Sequence, residues 1–255
     1  MLGRQATGQS AAARIGAHRF DNGAAMCRRA TQVQQFPLFS SISSADCREI
    51  VSTAREKAFV RRQTIFVEGA PIRQILVLTS GCVKTTQLGQ NGTEVILRLD
   101  GLGEVIGSFG GCSPVNHCST ARAIQASTAL VWEAPVFEAV TERFPILRRN
   151  AVLILGNRLL ELEERFREIS TEKVAPRLGK EIVRLLNQVG RRVNGGVEIS
   201  ISRQELAQLT GTTPYTVSRV LSDWGQRGIV SSRRGAVIVC NLQALAQQLV
   251  PCEMS

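Results

Sequence analysis

The chain has 255 residues, enough for two modest domains, each with its own core. Its formal net charge of +10 favours an anionic partner, either nucleic acid or a negatively charged membrane surface. Seven scattered cysteines without a C-x-x-C, and two histidines, His18 and His117, argue against a disulfide framework and against a closed zinc site.

No run reaches the roughly 18 to 20 apolar residues of a membrane span, and the N-terminus lacks the apolar stretch of a signal peptide. The chain therefore reads as cytoplasmic, with no membrane partner and no cofactor. The charge is uneven: residues 171–255 carry eleven Lys or Arg against six Asp or Glu, residues 1–35 carry five Arg against one Asp, and the middle is nearly neutral. A nucleic-acid surface is expected in the last third.

Residues 1–33, rich in Ala, Gly, Gln and Arg without an apolar period, read as a mobile basic arm. Folded character is expected to begin near Phe36-Pro37-Leu38-Phe39, with a short helical pattern through Ile50, Val51 and Ala54. From about 58 to 134 come short β-like runs: Thr64 to Val67, Gln74 to Thr79, Val83 to Leu88, Val95 to Leu99, Ala121 to Ile124 and Ala129 to Glu133. Gly69, Gly81, Asn91-Gly92, Gly101, Gly103 and Gly107 punctuate them, and Asn-Gly is the strongest hairpin signal of the set. A compact β unit over 34–145 is predicted.

Past Pro145 the pattern turns helical. Val152, Leu155, Leu159, Leu162, Phe166 and Ile169 alternate spacings of three and four, which predicts a coiled-coil seam for a homodimer over a helix at 146–170. The alternative is an amphipathic helix lying on its own domain. A second helix is expected from about Glu172 to Val189, ended by Asn194-Gly195-Gly196.

Ser202-Arg203-Gln204-Glu205 has the capping-box pattern, so a helix is predicted to start at Arg203 and to stop at Gly211. Thr213-Pro214 opens a second helix, with Thr as cap and Pro where its missing amide costs nothing. Val217, Val220, Leu221 and Trp224 then face inward, while Tyr215, Ser218 and Arg219 share the outer face, which suits reading of base edges. Ile229-Val230 and Val237-Ile238-Val239 flank the basic turn Arg233-Arg234-Gly235, a wing whose arginines are placed for backbone phosphate.

The run from Ile201 to Val239 resembles the winged helix of the Crp/Fnr transcription regulators. The likeness extends to Ile65 to Gly69, Thr79 to Lys84 and Gly103 to Gly107, which look like strands of that family's cyclic-nucleotide-binding β-roll. The resemblance implies an α+β fold: an N-terminal β-roll sensor, a long dimerisation helix, and a winged helix-turn-helix over 171–255. It also implies double-stranded DNA as partner, RNA polymerase as a second partner for an activator, and a small-molecule effector. Ser202, Gln204 and Thr213 match backbone-contacting positions, and Tyr215, Ser218 and Arg219 match base-reading ones. Tyr215 stands where many members have Glu, and a phenol cannot accept from cytosine N4 as a carboxylate does.

The effector pocket implied by the resemblance involves Gly107, Ser108, Cys118 and Ser119. Ser108 stands in place of the ribose-binding Glu and Cys118 in place of the phosphate-binding Arg, so no response to cyclic AMP is expected. Cys112, His117 and Cys118 lie close in sequence, which leaves open a thiol or metal sensor of oxidants or nitric oxide, or plain loop residues. A thiol redox enzyme built on these three residues is the rival from another class. It lacks a second acid or base nearby and leaves the winged helix unexplained.

Overall fold

The computed structural model describes residues 30–90, 92–107, 109 and 115–249. Most of the expected arm, residues 1–29, lies outside them. Residues 30–33 are helical, and Ala30 and Val33 are buried in the core, so the folded part begins before Phe36.

Eight strands build the N-terminal unit: β1 Arg55–Phe59, β2 Thr64–Phe66, β3 Gln74–Ser80, β4 Val83–Leu88, β5 Glu94–Asp100, β6 Val105–Ile106, β7 Thr120–Ala123 and β8 Ser127–Glu133. They pair as two four-stranded antiparallel sheets, in the orders β1-β8-β3-β6 and β2-β7-β4-β5. Side chains of a strand point alternately to its two faces, and both faces of β3 are covered. Leu76 and Leu78 turn toward the second sheet with Val83, Ala121 and Ala123. Ile75 and Val77 turn outward, against Phe39, Ile50, Phe137 and Leu147. The apolar run in the sequence is thus the signature of a strand sandwiched between a sheet and helices. Trp132 of β8 belongs to the outer layer, and its indole N–H donates to Ile50 O at 3.2 Å and to Thr53 Oγ1 at 3.0 Å.

That outer layer comprises a 3₁₀ turn Pro37–Phe39 and the helices α1 Ser44–Ser52, α2 Ala134–Arg143 and α3 Ile146–Thr171. Two of these elements escape the sequence pattern. β1 reads Arg-Glu-Lys-Ala-Phe and shows no apolar alternation, because only Phe59 is buried. α2 starts well before Pro145, with Pro135 in its first turn, where a proline needs no amide partner. α3 has 26 residues and spans roughly 39 Å at 1.5 Å per residue. Its first turns are anchored to the roll by buried Leu147 and Ala151 and by Asn150, whose amide donates to Leu38 O and Ser40 O.

The C-terminal unit contains α4 Val174–Val189, β9 Arg191–Val193, β10 Gly196–Ile199, α5 Arg203–Leu209, α6 Pro214–Gln226, β11 Val230–Arg233, β12 Ala236–Val239 and α7 Leu242–Gln247. The wing strands do not stand alone: the sheet order is β11-β12-β10-β9, and the β9–β10 hairpin lies in a segment whose glycines read only as a turn. The core of this unit is also continuous with the roll. Cys82, Ile96 and Leu99 from the second sheet join Leu178, Ile182, Leu206, Val217 and Trp224 in one buried cluster. Two domains with fully separate cores are therefore not what the chain builds.

α3 and α4 are joined by charge as well. Glu168 and Glu181 are almost fully buried and are paired with Arg184, which reaches both, with Lys180 on Glu168, and with Arg165 on Glu181. Buried carboxylates persist only when paired in this way.

Candidate DNA interface and effector cavity

The helix-turn-helix forms where the sequence places it. Ser202 accepts from Glu205 N at 3.2 Å while the Glu205 carboxylate accepts from Ser202 N at 2.8 Å, so both halves of the capping box are made. α5 ends at Leu209, and the turn passes through Gly211 at φ +57. A side chain is disfavoured in that left-handed region. Thr213 then caps α6 by accepting from Thr216 N at 3.2 Å, with Pro214 in the first turn.

Val217, Leu221 and Trp224 are buried and Val220 is half-buried, which fixes the roll of α6 about its axis. Tyr215 is 77% exposed, and Arg219, one turn on, is exposed on the same side. Ser218 is half-buried, and its hydroxyl donates to Pro214 O at 2.8 Å, so toward a base it offers lone pairs rather than its proton. Ser202 spends its hydroxyl inside the cap, donating to Glu205 Oε2 at 2.7 Å, whereas Gln204 and Thr213 are exposed. At the wing, Arg234 is exposed and Arg233 lies 4.0 Å from Glu198, which also pairs with Arg191 at 2.9 Å. Arg203, exposed in the first turn of α5, was not singled out from sequence; only its position after the cap points to it.

In the roll, β4, β5, α3 and residues 107, 109 and 116–119 border a cavity of about 220 Å³. Of the residues expected in the effector pocket, Gly107, Cys118 and Ser119 line this cavity; Ser108, like Cys112, lies outside the described residues. Gly107 has φ +80, and a Cβ there would come within 2.8 Å of the Phe66 ring. His117 stacks flat on that same ring at 3.7 Å, and burial pushes its imidazole below the usual histidine range, so it is neutral near pH 7. Sequence reasoning missed the two cations of this cavity, Arg98 from β5 and Arg158 from α3. No group of three His, Cys, Asp or Glu among the described residues is placed to hold a metal ion, and Cys47, Cys82, Cys118 and Cys240 are free thiols. The thiol-sensor alternative gains no support from this arrangement.

Most of the seam residues of α3 stand open to solvent. Val152, Leu159, Leu162 and Phe166 are more than half exposed, with Phe166 at 72%, and Leu155 and Ile169 are partly exposed. Leu155 also lines the cavity, and Ile169 lies against the Gly211 turn. The two readings of this helix thus describe its two faces, one seated on its own domain and one apolar and open. Among the described residues no helix is long and apolar enough to cross a membrane.

A β-roll, a long helix and a winged helix-turn-helix together define a class of proteins in which a roll is joined to a DNA-binding head. Comparison with known proteins agrees. Residues 56–144 match the cyclic nucleotide-binding domain and residues 176–248 match the Crp-like helix-turn-helix domain. The chain is similar to a CRP-like cAMP-activated global transcriptional regulator of Mycobacterium tuberculosis, 22% identical over 213 residues, covering 83% of this chain and 95% of that one. It is 27% identical to the cyclic AMP receptor protein of Thermus thermophilus, covering 80% and 92% of the two chains. Its fold matches that of FixK2 from Bradyrhizobium japonicum with a TM-score of 0.68 at 20% identity, covering 78% of this chain and 98% of that one. The protein belongs to the Crp/Fnr family and is a transcription regulator of that type, with a helix-turn-helix DNA-binding domain; these relatives are regulators, not enzymes.

Proposed function

We propose that the protein is a sequence-specific, homodimeric DNA-binding transcription regulator whose β-roll responds to a small effector other than cyclic AMP. The observation that carries this reading is α6. Three buried anchors fix its orientation, and Tyr215 and Arg219 stand exposed on the opposite side near its N-terminus. An arginine so placed donates twice to guanine O6 and N7, and the Tyr215 amide, which the Thr213 cap leaves free in the first turn, suits phosphate. Gln204, Thr213, Arg233 and Arg234 are assigned to backbone contacts around it, Ser202 to the cap and Ser218 to an acceptor role.

The exposed apolar face from Val152 to Ile169 supports pairing of two α3 helices, because a stripe of this kind in water is costly unless a partner covers it. Residues 34–145 then act as sensor, 146–170 as dimer helix and 171–255 as DNA-binding unit. A cytoplasmic site of action follows from the DNA partner, and RNA polymerase is the expected protein partner if the regulator activates. Cys118 in place of the cassette arginine argues against cyclic AMP, and micromolar or tighter binding of cyclic AMP in calorimetry would falsify that part.

Selection from a randomised duplex pool tests the whole. An enriched inverted repeat with half-sites about one helical turn apart is expected. Salt-sensitive retention without any enriched motif speaks against the assignment of α6.

A further inference from the structure

We propose that the cavity between β4, β5 and α3 binds a small monoanionic carboxylic acid, whose carboxylate sits between the guanidinium groups of Arg98 and Arg158 and whose apolar body rests on Phe109 and Leu155. This rests on the reading of the roll as an effector domain and names the chemistry of its ligand. Among the described residues the cavity wall carries two guanidinium groups and no carboxylate. Asp100, which is 1% exposed, sits behind that wall and is shared: the same oxygen lies 2.6 Å from Arg98 Nε and 3.9 Å from Arg158 Nη2. Its other oxygen accepts from Thr85 Oγ1 at 2.7 Å. One buried carboxylate therefore positions two cations, and the remaining compensation comes from Glu104, on the solvent side of Arg158.

The hydrogen bonds of Arg158 to described residues all leave from Nη2, to Val105 O at 2.7 Å and Glu104 Oε2 at 3.2 Å, and that of Arg98 leaves from Nε. Nη1 of Arg158 and the terminal nitrogens of Arg98 have no partner of this kind. Burial first, and then the neighbouring Arg98, disfavour the charge on Arg158, and an anion beside it opposes both effects. Arg158 also lies over the Phe109 ring at 5.1 Å, which gives the site a flat apolar wall beside its cations.

Charge and size select the ligand class. With Asp100 and Glu104 already offsetting the pair, one further negative charge suits the site better than two. The cavity of about 220 Å³ lies below the roughly 300 to 1,000 Å³ usual for drug-sized ligands, which favours a compact acid over a nucleotide. A bound carboxylate would tie α3 to the edge strand β5 through Arg158. Seven residues further along the same helix, Arg165 donates to Leu97 O of β5 and pairs with buried Glu181 of α4. The ligand thus grips the helix that carries the DNA-binding unit.

The test is calorimetric titration of the full-length protein with benzoate, phenylacetate, benzylamine and cyclic AMP, together with the rate of iodoacetamide alkylation at Cys118, which lines the cavity and is exposed. Binding of benzoate or phenylacetate but not benzylamine is expected, with slowed alkylation of Cys118 and at least about tenfold weaker binding by Arg98→Gln. Protection of Cys118 in the unmodified protein decides the matter if Arg98→Gln fails to fold. The proposal is overturned if neither carboxylate binds, if benzylamine binds as well as they do, or if cyclic AMP binds more tightly. A carboxylate that binds and protects Cys118 without changing DNA affinity upholds the site and refutes the effector reading instead.

Discussion

Gly81 connects β3 to β4 at φ +90, and a Cβ there would overlap both the side chain and the backbone of Ser127. Gly81→Ala is expected to cost about 1–3 kcal/mol from the backbone conformation alone, with the clash added, and a urea melt would read it as a lower midpoint. Thiol chemistry divides the cysteines just as sharply. Burial, reinforced by Asp100 and Glu205, pushes the Cys82 thiol up to about 12, and burial also raises Cys47. At pH 8 iodoacetamide should label Cys118 and Cys240 in the native protein, and Cys47 and Cys82 only after unfolding, as peptide mass spectrometry will show. Single residues were legible where their role is local: the cap at Ser202 and Glu205, the turn at Gly211 and the outer face of α6 follow from spacing. Arg98 and Arg158 were not, since sixty positions separate them and only the seating of α3 against β5 brings both to one cavity.

Among the elements, α3 makes the strongest demand on a partner. Phe166 is 72% exposed, so Phe166→Glu should leave the thermal stability of a single subunit within about 0.5 kcal/mol. In a coiled-coil seam the same change buries a charge, and sedimentation should report a monomer or a much weakened dimer. An unchanged dimer would move the interface elsewhere. The cap of α6 gives a smaller effect: Thr213→Ala removes the acceptor for Thr216 N and should lower stability by about 1 kcal/mol. Strands β3, β4, β5, β7 and β8 were visible within a residue or two because glycines delimit apolar runs. β1 and the β9–β10 hairpin were hidden, because charged edge residues erase the alternation that periodicity detects.

At the scale of the molecule, the roll and the DNA-binding unit are coupled in two ways, by the shared cluster around Ile96 and Leu99 and by the buried ion pairs around Glu168 and Glu181. Neither coupling is visible in sequence, where Cys82, Ile96 and Leu99 look like ordinary strand residues. Removing one member of a buried pair leaves the others uncompensated. Glu181→Ala should therefore destabilise the protein by about 3 kcal/mol in denaturant titrations, because Arg165 loses its carboxylate and Arg184 is left with Glu168 alone. A loss below about 0.5 kcal/mol would mean that solvent already screens the network.

The central claim is that α6 reads base sequence through Arg219. It is tested most directly by fluorescence anisotropy of the protein and of Arg219→Ala on the selected duplex and on a scrambled one, at a single salt concentration. Loss of Arg219 should cost about 1–3 kcal/mol on the selected site and change the scrambled affinity little, since sequence-independent attraction is spread over the remaining cations. An unchanged ratio between the two duplexes would contradict the account.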